Sequence, residues 1–385
     1  MKQKLIRITT VPESMAILLE GQLKFMKEYY DVVAVSSDSK FFDDMLHQQG
    51  DIRGVRINMS RKITPIQDIK ALISLIKLFR KEKPFIVHTH TPKAGTLGMF
   101  AAWICRVPNR LHTVAGLPLL EVKGAKRILL DFIEKLTYSA ATKVYPNSYG
   151  LKQIIEENKY TSTSKLKVIG NGSSNGIDTN FFSKESCLKD LNAYQVYTQL
   201  KNDSIFTFVF VGRIVKDKGI NELVKSFIKL QKEHPNIRLI LVGNMEKDLD
   251  PLKNDTIEAI SNCPNIVYVG FKKDVRPYFL ASDVLVFPSY REGFPNVVMQ
   301  AGAMGLPSIV SDINGCNEII IEKKNGIIIK PKYTNDIYNA MLWFLNNKFE
   351  YMKNNSRQMI VTRYDRQFIW NELLKEYRNY ENETA

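Results

Sequence analysis

Two hydrophobic periods alternate along this chain. Short, almost uniformly apolar runs at residues 5–10, 32–37, 54–59, 85–90, 110–114, 143–147 and 166–169 are separated by stretches with apolar residues at helical spacing, such as 14–27, 64–81, 96–105 and 125–140. A strand that is apolar on both faces is a buried parallel strand covered by helices on either side, so this half predicts a doubly wound α/β domain. The Gly/Asn/Ser cluster from Asn171 to Gly176 has the composition of a turn or hinge. Beyond it the pattern restarts, with strands predicted at 205–211, 238–242, 266–269, 284–288, 308–311 and 327–329. The spacing of Phe368, Ile369, Leu373, Leu374 and Tyr377 predicts a helical end. The expected organisation is two Rossmann-like domains, 1–172 and 173–365, with a final helix at about 366–385 packed back on the first. Open α/β sheets bind ligands beyond the carboxyl ends of their strands, so the expected site is a cleft between two facing sheets.

Composition narrows the class. The chain has 385 residues, 44% of them hydrophobic and 24% charged, which is the globular range and excludes wholesale disorder and a polytopic membrane protein. The longest nearly uncharged apolar run, 95–105, is far short of the ~20 residues of a spanning helix. The start is basic without an apolar segment behind it, so no signal peptide is expected. Cys105, Cys187, Cys263 and Cys316 are scattered without metal-ligand spacing, which predicts reduced thiols and a cytoplasmic protein.

Charge is the least ordinary property. The net charge is +14, and residues 1–180 carry 27 Lys and Arg against 16 Asp and Glu, whereas the remaining 205 residues carry 27 against 24. A basic surface predicts an anionic partner. No aromatic-interleaved basic motif is present, so nucleic acid is not expected.

Two motifs carry candidate chemistry. Val211-Gly212-Arg213-Ile214-Val215-Lys216-Asp217-Lys218-Gly219 runs from the end of a predicted strand into a helix beginning near Ile220. Two cations beside a helix N-terminus suit a diphosphate. The second motif, Ser289 to Gly302, follows the strand at 284–288 and opens a helix near Asn296. It places Glu292 where a carboxylate can accept hydrogen bonds from sugar hydroxyls.

With these segments, Phe85 to Gly95, Ser174-Asn175-Gly176-Ile177-Asp178 and Tyr268-Val269-Gly270-Phe271, in this order and spacing, the chain resembles family 4 of the glycosyltransferases, retaining enzymes of the GT-B fold. The resemblance implies transfer of a sugar from a nucleotide diphosphate donor, most often UDP, to an acceptor hydroxyl with retained anomeric configuration. It implies that Arg213 and Lys218, next to Gly212, hold the diphosphate and that Glu292 binds the donor sugar. Gly293 and the backbone amides of Phe294, Pro295, Asn296 and Val297 would face sugar and phosphates, and Gly270 with Phe271 the base. Internal-return chemistry without a metal ion or cofactor is further implied, the nucleotide sugar being a substrate. Sugar-nucleotide epimerases with a similar cleft are the alternative.

The chain departs from the family in three places. The second acid of the family's Glu–seven residues–Glu motif is Gln300, a neutral hydrogen-bond acceptor for a ribose. The loop after the first strand, Thr9 to Ser14, lacks glycine, and Ser14 is expected to be a helix N-cap. Ala115 stands before Gly116 where relatives carry a polar side chain, leaving His90, His112 and Gly116 as acceptor-side candidates.

The basic surplus has an expected use. Residues 61–83 hold seven Lys and Arg and more apolar residues than one narrow face needs, and 121–135 is similar. Such helices predict peripheral contact with the anionic inner face of a membrane and an acceptor linked to a polyprenyl diphosphate, as in surface-polysaccharide synthesis. Asp248-Leu249-Asp250 is read as a turn and no metal site is expected.

Overall fold

The computed structural model describes residues 2–117, 119, 122–246 and 250–384. The chain divides into unit 1, residues 1–176 with 367–385, and unit 2, Ile177–Arg366. Both units are built on six-stranded parallel sheets.

Unit 1 runs β1 (Lys4–Ile8), α1 (Pro12–Leu18), α2 (Gln22–Lys27), β2 (Asp31–Ser36), α3 (Phe41–Gln48), β3 (Arg53–Arg56), α4 (Pro65–Glu82), β4 (Ile86–Thr89), α5 (Pro92–Ile104), β5 (Asn109–Val114), α6 (Ala125–Ala140), β6 (Lys143–Pro146) and α7 (Tyr149–Glu157). The strand order is β3-β2-β1-β4-β5-β6. Its strands read as continuous hydrophobic runs because helices cover both faces. Leu75, Phe79, Met99, Tyr138 and Leu151 from α4 to α7 pack on Ile6, Val33 and Val87. On the other face, Met15, Leu23 and Phe42 pack with Leu5, Ile86 and Tyr145.

Unit 2 runs α8 (Lys184–Lys189), α9 (Leu191–Leu200), β7 (Phe206–Val211), α10 (Ile220–Glu233), β8 (Ile237–Val242), α11 (Asn254–Asn262), β9 (Ile266–Gly270), α12 (Arg276–Leu280), β10 (Val284–Phe287), α13 (Asn296–Ala303), β11 (Ser308–Ser311), α14 (Cys316–Ile319), β12 (Gly326–Ile329), α15 (Thr334–Asn346) and α16 (Glu350–Tyr364). The order β12-β11-β10-β7-β8-β9 repeats that of unit 1. The last helix, α17 (Arg366–Thr384), puts Leu373, Leu374, Tyr377 and Tyr380 into the second core of unit 1.

Three expectations differ from the structure. The run 166–169 is not a strand: Leu166 makes one bridge to Val144, between a 3₁₀ turn at Thr163–Lys165 and a left-handed Gly170, which leaves too little length for a ladder. The helix expected over 14–27 is two helices, broken at Gly21 with φ 75°. Ser14 lies inside α1; the N-cap is Val11, because Pro12 starts the helix and needs no N–H there. Among the described residues no helix is long and apolar enough to cross a membrane.

Candidate functional site

In a sheet of this strand order the crossovers leave in opposite directions from the two central strands, and ligands bind at that switch point. In unit 2 these strands are β7 and β10. The loop after β7 carries Arg213 and Lys218, and the loop after β10 carries Glu292, so residues 74 positions apart in sequence converge there.

Lys218 donates through Nζ to Glu292 Oε1. The two side chains are 14% and 16% exposed, enough for a ligand to reach them and too little for water to screen them fully. Lys218 Nζ also lies 5.7 Å from the centre of the Phe287 ring, on the last residue of β10. Gly219 makes this approach possible. Its φ is 72°, and a Cβ there would lie 2.2 Å from the Pro288 carbonyl oxygen. The carbonyls of Glu292 and Gly293 accept from Asn314 Nδ2 at 2.6 and 3.2 Å, which fixes the loop that presents the carboxylate. The backbone N–H of Tyr290 donates to the Asp217 carbonyl at 2.8 Å and ties the two loops together directly.

Arg213 is half exposed. Its Nη1 donates to Glu246 Oε2 at 2.9 Å, on the loop after β8. Asp217 accepts from Arg291 Nη2 at 3.2 Å, and its own N–H donates to Asp250 Oδ2 at 2.6 Å. Asp250 therefore holds a turn, while Asp248 and Leu249 lie outside the described residues. The buried Cys316 thiol is raised well above its ordinary pKa by burial and then by the Glu292 charge, so it stays protonated.

The remaining donor-side residues lie on neighbouring strand ends. Gly212 follows β7, and its N–H donates to the Val242 carbonyl at 2.9 Å. Gly270 ends β9 with φ 68°, and Phe271 beyond it is exposed. Asn296 and Val297 begin α13, where N–H groups have no partner within the helix. One expectation changes here. Pro295 has no N–H to offer, so only its neighbours can donate. The Phe294 side chain is buried, its ring 5.3 Å from that of Tyr364, so that residue can face a ligand only with its backbone. Gln300 sits half-buried, one turn further along α13.

Unit 1 treats its histidines differently. His112 is buried against Gly95 of α5 and its Nδ1 is 2.8 Å from Thr89 Oγ1. Burial pulls its pKa down to about 4. It is a packed core histidine, and its ring does not reach the surface. His90 is buried as well and accepts from Arg7 Nε at 3.0 Å through Nε2. Its Nδ1 has no hydrogen-bond partner among the described residues, and His90 lines a cavity of about 20 Å³ with Thr113, Asn147 and Ser174. Burial, then the neighbouring His88 and Arg7, hold His90 well below the ordinary imidazole pKa. Gly116 is half-buried beyond the end of β5.

Sequence reasoning missed Glu246, Asn314 and Arg7. The first two lie on loops 33 residues from Arg213 and 22 from Glu292, with no local signal. Arg7 had one: a cation inside an otherwise apolar parallel strand. It is fully buried, donating to His90, to Tyr377 Oη at 3.2 Å and to Gln22 Oε1 at 2.5 Å.

Residues 198–360 match the family model of the group 1 glycosyl transferases, and residues 16–148 match that of the glycosyl transferase 4-like proteins. The capsular polysaccharide biosynthesis glycosyltransferase CapM of Staphylococcus aureus is 35% identical over 99% of this chain and 98% of its own. The UDP-Gal:alpha-D-GlcNAc-diphosphoundecaprenol alpha-1,3-galactosyltransferase of Escherichia coli is 30% identical over 87% and 85%. The crystal structure of Anabaena HepE in complex with UDP matches with a TM-score of 0.78 over 98% of this chain and 100% of that one, at 17% identity, a likeness of fold. Two Rossmann-like units joined in this order, the two domain matches and the full-length relative establish that the chain belongs to the family 4 glycosyltransferases, of the GT-B fold.

Proposed function

We propose that this glycosyltransferase moves a sugar from a UDP-sugar to a hydroxyl of a polyprenyl-diphosphate-linked glycan during surface-polysaccharide synthesis, with retention and without a metal ion. One observation carries the donor half: Lys218 and Glu292 meet at the switch point of unit 2, with Arg213 on the same loop. The acceptor half is supported by the names of the relatives, one a capsular enzyme and one acting on a diphosphoundecaprenol-linked sugar.

A diphosphate arriving beside Lys218 competes with Glu292 for the ammonium group. The carboxylate is then released to accept hydrogen bonds from sugar hydroxyls and so orients the ring. Arg213, held by Glu246 on the solvent side, turns its remaining N–H groups to the phosphates. As the anomeric C–O bond to the diphosphate breaks, the two cations and the first N–H groups of α13 stabilise the charge left on the diphosphate. The acceptor hydroxyl attacks the same face and forms the new C–O bond, and its proton passes to the departing phosphate oxygen. No protein carboxylate needs to act as nucleophile.

The test is turnover with a panel of UDP-sugars and an undecaprenyl-diphosphate-linked acceptor. The expected result is UDP release that requires acceptor, a product whose new linkage keeps the donor's anomeric configuration by NMR, and rates unchanged by EDTA. An inverted linkage overturns retention, and EDTA inhibition reversed by a divalent ion overturns the metal-free chemistry. Epimerised UDP-sugar without a glycosylated product favours the isomerase alternative.

A further inference from the structure

We propose that the cavity at the carboxyl ends of β4, β5 and β6 in unit 1 is a binding site for one buried water molecule. The water joins two hydrogen-bond chains that start on Arg7 to the segment through which the chain leaves unit 1.

Hydrogen-bond directions follow outward from Arg7, which is fully buried and can only donate. Its Nη1 donates to Tyr377 Oη at 3.2 Å, so the phenol turns its own proton to His88 Nδ1, 2.6 Å away. The proton of the His88 ring is then on Nε2, which donates to Thr113 Oγ1 at 2.7 Å. That bond leaves the Thr113 hydroxyl with its own proton still to give. In the second chain Arg7 Nε donates to His90 Nε2 at 3.0 Å, so the proton of this neutral ring sits on Nδ1. Both chains end in a donor, and both end on residues that line the cavity.

Acceptors line the same cavity. Asn147 is buried, and its Nδ2 donates to the Ala115 carbonyl at 3.5 Å, which leaves Oδ1 to accept. Ser174 adds a hydroxyl oxygen. Asn147 Oδ1, Ser174 Oγ and His90 Nδ1 are all buried atoms with no hydrogen-bond partner among the described residues. Buried polar atoms left unpaired are costly, and native structures pair nearly all of them. Two donors and two acceptors are the complement that one water uses in full. It accepts from Thr113 Oγ1 and His90 Nδ1 and donates to Asn147 Oδ1 and Ser174 Oγ.

Size selects the occupant. The cavity measures about 20 Å³. One water needs about 10–15 Å³ of such space, and a sugar ring or a phosphate does not fit. A cation is opposed by two converging donors with the Arg7 charge behind them. The position gives the water a structural task. The neighbours of Ser174 are tied to unit 1 directly: the Ser173 N–H donates to the Asn147 carbonyl at 2.7 Å, and Asn175 Oδ1 accepts from Gln22 Nε2 at 3.0 Å and from Trp370 Nε1 at 2.7 Å. The water does the same for the Ser174 hydroxyl between them.

Two measurements on the full chain test this. A high-resolution crystal structure is expected to show one water about 2.7–3.2 Å from His90 Nδ1, Thr113 Oγ1, Asn147 Oδ1 and Ser174 Oγ. Nitrogen-15 NMR of the ring-labelled protein, which has only five histidines, is expected to find His90 protonated on Nδ1 and His88 on Nε2. A cross-peak should link the His90 ring proton to a slowly exchanging water. Asn147→Leu is expected to remove the water and that cross-peak and to lower the urea midpoint. A cavity without an ordered water, a His90 Nδ1 paired with a protein acceptor, or a His90 ring protonated on Nε2 would each overturn the proposal. So would a cross-peak that Asn147→Leu leaves unchanged. If that variant does not fold, the wild-type crystal and spectrum decide alone.

Discussion

The two units share one strand order and differ in what they place at its switch point. In unit 2 the loops after the central strands bring together Lys218 and Glu292, a partly exposed ion pair. In unit 1 the equivalent loops bring together Thr10 and Thr91, whose hydroxyls are 2.7 Å apart, with Thr91 Oγ1 also accepting from the Thr10 N–H at 3.0 Å. Behind that pair lie neutral, buried His88 and His90 and the buried Arg7. The fold offers the same position twice, and side-chain chemistry decides its use. Unit 2 has charges that a diphosphate can recruit, whereas unit 1 uses its polar groups to hold itself together.

That contrast can be broken by experiment. Glu292→Ala or Lys218→Ala should lower nucleotide release 10²–10³-fold, about 3–4 kcal/mol of transition-state stabilisation, with unchanged circular dichroism. Full activity of both variants would remove the site from unit 2. In unit 1 the largest effect should appear on stability and follow pH. His112 has its pKa lowered from 6.5 to about 4, so the unfolded chain binds the proton first. Its neutral burial costs nothing above pH 6.5, and its share of the unfolding free energy should then fall by up to about 3 kcal/mol as pH drops toward 4. Urea titrations across that window measure it, and His112→Asn should make the profile shallower by that share, leaving the slope that buried His88 and His90 contribute.

Smaller effects sharpen the same contrast. Arg7→Met should cost about 2–3 kcal/mol of stability, because His90 Nε2 and Gln22 Oε1 lose their donor, while UDP affinity stays the same. Thr91→Val should cost about 1–2 kcal/mol and also leave UDP affinity unchanged; a large loss of affinity would give unit 1 a part in the donor site. Gln300→Glu should retain activity and change donor affinity only several-fold, about 1 kcal/mol, as read from KM.

The strands were legible because parallel strands buried on both faces leave uninterrupted apolar runs; twelve of the thirteen runs form sheet strands. The exception, 166–169, has the right composition, but bounding turns leave it one bridge. Helix breaks were harder to read. Gly21 splits one helical period without disturbing it, and Pro12 starts α1 two residues before the serine that resembled a cap. In the site, Lys218 and Glu292 were legible because each stands at a strand's carboxyl end beside a glycine. Their direct contact was not, since it depends on which strands are neighbours. Glu246 and Asn314 were hidden for the same reason.

The central claim is that unit 2 binds the donor diphosphate through the charges at its switch point. Calorimetric titration of UDP into the full chain and into Lys218→Ala tests it most directly. The account predicts that the variant binds UDP about 10- to 100-fold more weakly, the loss of one charge-assisted hydrogen bond. Equal affinity for UDP in the two proteins would contradict it.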